Sequence, residues 1–253
     1  MKIAVCIKQV PTREWQPRVR DDKTWIREED VRYEMNEPDA YALEEALRLR
    51  EKHTGEVVVC SAGPARVQTV IREALARGAD RAIHVEHDSL GSADAFVLAD
   101  ALGAAMKDEK FDLVLTGLQS DDQGHGQTGV ILAGRLGIPS STIIMEVQVE
   151  GRSLRVKREL EGGWFQWIAM PLPALLTIQS GINQLRYATL KGIMAAKKKE
   201  IRKAGLPDGL QPAQQIVSLA VPTRSKQTQM IGGSAADAAK ELVRRLRDEA
   251  RAL

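Results

Sequence analysis

Residues 111–133 read FDLVLTGLQSDDQGHGQTGVILA and bring together groups able to grip an anion. Leu113 to Leu115 form a short apolar run that predicts a buried parallel strand. Small and polar residues follow from Gly117 to Gly126, and Val130, Ile131 and Leu132 predict a helix beside Ala133 and Gly134. Strand, glycine-punctuated loop and helix together aim backbone N–H groups and a helix N-terminus at one point, which is chemistry for holding phosphate. The string matches neither GxGxxG nor GxxxxGK(S/T), so it is neither a Rossmann fingerprint nor a Walker P-loop. On pattern alone, an ordinary polar connection that binds nothing stands beside nucleotide binding. Elsewhere the chain offers no nucleophile paired with a base, no carboxylate pair and no metal set. His53, His84, His87 and His125 lack ligand spacing, and Cys6 and Cys60 lie in apolar runs as small buried hydrophobes in a reducing compartment.

The bulk numbers exclude some partners. A net charge of +2 gives no general attraction to nucleic acid or to an anionic membrane, and 4% aromatic residues leave little for base stacking. No nucleic-acid partner is expected. No run is long enough to span a bilayer, so the chain is not expected to be membrane-embedded. The start, MKIAVCIK, goes straight into a strand without a signal or transit segment, and a cytoplasmic location is the expectation.

The elements that must position the loop alternate. Residues 2–8, 56–62, 81–86 and 113–115 predict buried strands, and residues 36–52, 65–77 and 92–107, with the helix resuming around Val130 to Leu132, predict the helices between and after them. Pro38 suits a first helical turn and Gly78 a helix end. This alternation predicts an α/β fold with a doubly wound, mostly parallel sheet and helices on both faces. The connection 9–35 is long for its place and is read as carrying a small hairpin of 15–20 with 25–31. After Pro139 the texture changes. Residues 142–150, 154–160 and 164–170 are alternating runs that predict an added antiparallel meander, and 173–179 predicts one more strand. Residues 183–199 are mixed, 203–229 read as an extended arm, and 234–252 as a terminal helix with Ser234 at its N-cap and one apolar stripe. The expected division is a nucleotide-binding domain over 1–182, then a recognition loop and C-terminal arm over 183–253 whose helix packs on a partner chain.

Four ordered strings resemble the beta subunit of electron transfer flavoprotein, the FixA-type family. NQLRYATLKGIMAAKKK (183–199) is similar to the family's LNEPRYASLPNIMKAKKK signature, and MNEPDAYALEEALRLRE (35–51) to its MNPFDEYALEEALRLKE segment. AGPARVQTVIREALARGADRAIHV (62–85) resembles a third family segment, and DLVLTGLQSDDQGHGQTG its nucleotide loop. The resemblance covers nearly the whole chain. It implies a heterodimer in which an alpha subunit holds most of the redox FAD, while this subunit keeps an adenine nucleotide at its strand ends and embraces alpha with its arm. It further implies electron transfer from dehydrogenases, such as those of acyl-CoA in fatty acid oxidation, to a membrane quinone oxidoreductase. The chain itself is then an electron-carrier subunit and not an enzyme.

By the same resemblance the nucleotide pocket comprises Cys6, Lys8, Asn36, Asp39, Ala62, Gly63, Asp122, Gly124, His125, Gly126, Gln127, Thr128, Gly129 and Val130. Asp122 repels phosphate unless it meets a ribose, a backbone N–H or a cation. Val10 and Arg13 match the loop that approaches the flavin of alpha. Tyr187, Leu190 and Lys191 match the recognition loop for dehydrogenases, although the signature's Glu-Pro is Gln184-Leu185 here. Lys197 to Lys199 read as a solvated charge run. The ending Gln127-Thr128-Gly129 favours AMP as a structural nucleotide. A second FAD in the same site, with an electron-bifurcating role, is the alternative, and an unrelated nucleotide-binding enzyme of the same fold is a third.

Overall fold

The computed structural model describes residues 1–223 and 228–253. The strands are β1 (Lys2–Cys6), β2 (Gln9–Pro11), β3 (Tyr33–Met35), β4 (Glu56–Gly63), β5 (Arg81–Glu86), β6 (Leu113–Gly117), β7 (Ser140–Glu150), β8 (Ser153–Glu159), β9 (Phe165–Pro171), β10 (Ala174–Ile178) and β11 (Ile201–Ala204). The helices are α1 (Glu37–His53), α2 (Gln68–Arg77), α3 (Ala95–Met106), α4 (Thr128–Leu136), α5 (Leu190–Ala196) and α6 (Ala235–Asp248). A nine-stranded sheet runs β11-β5-β4-β1-β6-β10-β7-β8-β9. Pairing is parallel from β11 through β7 and antiparallel for β7–β8 and β8–β9. The doubly wound sheet and its meander are therefore present as the periodicity predicts.

Strand alternation builds two cores. Ile3, Val5, Val57, Val59, Leu113 and Leu115 turn to the face packed by Leu43 and Leu47 of α1 and by Ile71 and Leu75 of α2. Their neighbours Ala4, Cys6, Val58, Cys60 and Val114 turn the other way, onto Ala99, Leu102 and Met106 of α3 and Leu132 of α4. Burial on both faces explains why these strands read as unbroken apolar runs.

Three details differ from the sequence expectations. The excursion 9–35 pairs at its stem, through β2 and β3, and the expected hairpin 15–20 with 25–31 is reduced to a single bridge, Val19 to Ile26. Polar, proline-bearing flanks leave too little apolar surface to extend it. Residues 201–204 form an edge strand parallel to β5, so the first part of the supposed arm belongs to the sheet. Lys199 is not a solvated charge: its ammonium donates to the carbonyls of Leu75 (3.0 Å) and Ala79 (2.5 Å) beside the end of α2, where a cation satisfies orphan acceptors. The chain parts into two compact units, Met1–Leu219 and Ala220–Leu253. Within the second, Ser234 caps α6 by accepting from the N–H of Asp237, and Leu242 and Val243 lie on its exposed surface. The meander's outer edge is also apolar: Trp164, Phe165 and Trp167 are exposed, with Arg155 over the ring of Trp167 and Lys157 over that of Phe165.

β1 is flanked by β4 on one side and β6 on the other, so the connections diverge between β1 and β6. A crevice opens at such a point. Asp39, in the first turn of α1, bolts it: one carboxylate oxygen accepts from the N–H of Lys8 (2.7 Å) and the other from that of Gly117 (2.9 Å). Burial pushes this carboxyl up to about 7, against the two backbone donors that favour its charge. Gly117 has no alternative, because a Cβ there would overlap Asp39 Oδ1 and lie 2.7 Å from Pro38 Cβ.

Two outcomes follow. Gly117→Ala should lower stability by about 1–3 kcal/mol in urea unfolding, the usual cost of forcing a side chain into a packed site. A group whose folded pKa is raised stabilises most below its unfolded value, ~4 for a carboxyl, and that contribution is lost as pH rises through about 7. The wild type should therefore lose more unfolding free energy between mildly acidic and mildly alkaline buffer than Asp39→Asn, which does not titrate.

Candidate functional site

The crevice at the ends of β1 and β6 is a cleft lined by Cys6, Lys8, Asn36, Asp39, Ala62, His125, Gly126, Gln127, Thr128 and Gly129 among others. Most of the proposed pocket residues are thus brought together. Gly63 lines an adjoining cavity that shares Lys8 and Ala62 with the cleft. Asp122 reaches the rim through Lys8, while Gly124 and Val130 are exposed outside the lining. Val10 is buried in β2. Arg13 is exposed and ion-paired with Glu37, with Asp121 3.7 Å away, so the cation at this loop is already matched by carboxylates.

Each wall has a local cause. Asn36 sits at the N-cap of α1 but makes no side-chain cap bond. Its amide is committed to the loop after β6 instead: Nδ2 donates to the Gln119 carbonyl (2.9 Å) and Oδ1 accepts from the Asp121 N–H (2.9 Å). Gly124 and Gly126 then turn the loop at φ 66° and 63°, in the left-handed region where a side chain is strained. Gly129 brings α4 against the strand ends, since a Cβ there would lie 2.6 Å from Thr116 Oγ1. The first turn of α4 has no side-chain cap, and its N–H groups at Thr128 to Val130 precede the first bond of the ladder, Ile131 to Gln127.

The chemistry of the lining is that of a binding site. Among the described residues, Gln127 Oε1 is buried with no hydrogen-bond partner. A buried orphan acceptor costs free energy until a donor meets it, and a ribose hydroxyl or an exocyclic amine is such a donor. Among the described residues, Lys8 supplies the one ammonium of the lining. Cys6 adds no nucleophile, because burial, the neighbouring Cys60 and Asp39 raise its thiol well above the usual range. Among the described residues no cluster of His, Cys, Asp and Glu is arranged to hold a metal ion. The sequence reading missed the apolar wall from α3, Ala95, Leu98 and Leu102. Its only signal was a helix unusually apolar all round, which also reads as a buried core helix.

Tyr187, Leu190 and Lys191 stand apart from the cleft, on a segment fixed to α1 and α2. Asn183 Nδ2 donates to the Tyr41 carbonyl and to Glu45, and Arg186 binds both Glu44 and Glu51. Burial raises the Glu44 carboxyl, but hydrogen bonds from Arg186 and Arg48 outweigh it and hold the group below the usual range. Arg72 holds the carbonyls of Ala196 and Lys199, and Gly192 lies so close to the Ala76 carbonyl that no side chain fits. On this clamped base Tyr187 is 93% and Leu190 76% exposed, beside exposed Ile193 and Met194. A rigid apolar cluster facing water marks an interaction surface.

The sequence matches the family model described as electron transfer flavoprotein domain over residues 24–208. It is 37% identical to the electron transfer flavoprotein subunit beta of Methylophilus methylotrophus, over 95% of this chain and 96% of that one. It is 39% identical to the mitochondrial subunit beta of Oryza sativa subsp. japonica, over the full length of both, and 41% identical to the subunit beta of Homo sapiens, over 79% of this chain and 80% of that one. The chain belongs to the electron transfer flavoprotein family and is similar along its length to the family's beta subunits.

Proposed function

We propose that this chain is the electron-carrier beta subunit of a heterodimer, holding AMP as a structural nucleotide while an alpha subunit holds most of the FAD. The observation that carries the nucleotide reading is the orphaned, buried Gln127 Oε1 beside the uncapped first turn of α4. The residues present fit AMP. The N–H groups of Thr128, Gly129 and Val130 and the Thr128 hydroxyl take the phosphate. Gln127 takes a hydroxyl or amine of the nucleoside, and Cys6, Leu98 and Leu102 supply an apolar wall. One ammonium in the lining matches a monophosphate better than a pyrophosphate.

The flavin supplies the redox chemistry, and this chain contributes binding and docking. Leu190, Tyr187 and Lys191 form the contact for donor dehydrogenases, those of acyl-CoA in fatty acid oxidation. The clamp by Arg186 keeps that contact from paying ordering entropy on each encounter. The acceptor is a membrane quinone oxidoreductase, met from a cytoplasmic location. Among the described residues no helix is long and apolar enough to cross a membrane. Arg13 faces the flavin edge of alpha from a loop whose stem the buried Val10 anchors, and the chain divides functionally into a nucleotide domain over 1–182 and a recognition loop and arm over 183–253.

One observation favours a second reading. The cleft continues past Ala62 into the cavity lined by Gln9, Gly63 and Arg66, which offers a guanidinium along the path of a larger dinucleotide. A second FAD there would make the protein a bifurcating carrier.

Denaturing release of nucleotides from the chain co-purified with its alpha partner separates the readings. One FAD and one AMP per heterodimer is the expected content; two FAD without AMP establishes the second reading, and no adenine nucleotide beyond one FAD overturns both. The arm carries its own test. Because β11 belongs to the sheet, the informative truncation removes residues 220–253 and leaves unit Met1–Leu219 intact. The truncated chain should keep the cooperative unfolding of the sheet unit, its far-ultraviolet circular dichroism reduced only by the helix α6, and lose co-purification with alpha; retained co-purification would exclude the arm as the main contact.

A further inference from the structure

The ammonium of Lys8 is fully engaged within the protein. It binds both carboxylate oxygens of Asp122, at 2.6 and 2.8 Å, and also Gln123 Oε1 at 3.2 Å and Ser120 Oγ at 3.3 Å. Its backbone cannot retreat, because the Lys8 N–H is tied to Asp39. The near end of the loop is fixed as well, by Asn36 to Gln119 and Asp121. Residues 122–126 are different. Among the described residues, their only hydrogen bonds from outside the loop come from Lys8. A Cβ added at Gly124 would meet nothing within 4 Å. The cleft beneath encloses about 100 Å³, well under the ~300 Å³ at which small-molecule sites usually begin.

We propose that Asp122 is an internal substitute for the ligand's phosphate: it occupies Lys8 and holds residues 122–126 across the cleft, until a phosphate monoester displaces it. The proposal rests on the reading of the cleft as an adenine-nucleotide site. A carboxylate and a phosphate make the same charge-assisted contacts with an ammonium, so they compete for it. A phosphate dianion carries the greater charge and also meets the N–H groups of α4, which Asp122 does not reach. The exchange opens the loop only for ligands that bring a phosphate. A bare nucleoside cannot take Lys8 from Asp122, and once Asp122 is removed it gains only the freed loop and not the Lys8 contact. The unexplained acidic residue in a phosphate loop is then a selectivity device, set against ligands that lack the anion.

Calorimetric titration of the full chain, stripped of nucleotide, with AMP and with adenosine tests this. Asp122→Asn keeps the side chain's shape at an exposed position and should tighten AMP about tenfold, and adenosine, which gains only the freed loop, by clearly less. Lys8→Gln should weaken AMP about tenfold or more, and in the Lys8→Gln background the gain from Asp122→Asn should vanish, the signature of two residues acting through one contact. AMP binding that is unchanged or weakened by Asp122→Asn, or adenosine tightened as much as AMP, overturns the proposal and leaves the nucleotide site standing. Failure of the wild type and both variants to bind AMP at millimolar concentration overturns the nucleotide reading and this proposal with it.

Discussion

A single carboxylate holds the ends of β1 and β6 at a fixed spacing. Asp39 receives one backbone N–H from each side of the crevice, so the two strands between which the chain's connections diverge are tied by a side chain of the helix that follows the first of them. The cost is the burial of a carboxylate. The return is geometric, since Lys8 is presented at a defined point and the loop after Gly117 departs at a defined angle. Gly117 is small for Asp39 rather than for any ligand. Had the glycine been read only as part of a phosphate loop, its reason would have been misassigned.

α1 serves two surfaces at once. Its N-terminal turn, with Asn36 and Asp39, frames the cleft, and its later turns, with Glu44, Glu45 and Glu51, anchor the segment that exposes Tyr187 and Leu190. Glu44 and Glu45 are buried, which is unusual for charged residues and is tolerated because Arg186 and Asn183 satisfy them. The acidic residues near the start of this helix read as ordinary complements to the macrodipole. The structure gives them a second role that periodicity does not contain.

The sheet was legible because its strands are buried on both faces and its helices carry recognisable ends. Strand bounds fell within a few residues, as for β4 and β5, and the meander followed from alternation. What escaped was whatever depends on partners distant in sequence. Ile201–Ala204 is too short to signal a strand, and only pairing with Arg81–Glu86 makes it one. Lys199 looked like one of three solvated lysines because nothing local marks the carbonyls of Leu75 and Ala79 as its acceptors. In the cleft, the loop glycines announced themselves by composition, and Gln127-Thr128-Gly129 by its resemblance to the family's nucleotide loop. The apolar wall from α3 did not, because Leu98 and Leu102 look the same whether they face a core or a ligand.

The placement of the tryptophans has an optical consequence. All four, Trp15, Trp25, Trp164 and Trp167, lie in the polar excursion after β1 or on the outer part of the meander, and none is in the buried core. Intrinsic emission therefore reports the periphery and is nearly blind to the central sheet. The exposed indoles of Trp164 and Trp167 already emit toward water, so unfolding shifts their colour little, whereas any chain that covers the meander blue-shifts them. A fluorescence titration reads association at that edge directly, and a fluorescence melt understates the cooperativity of the core.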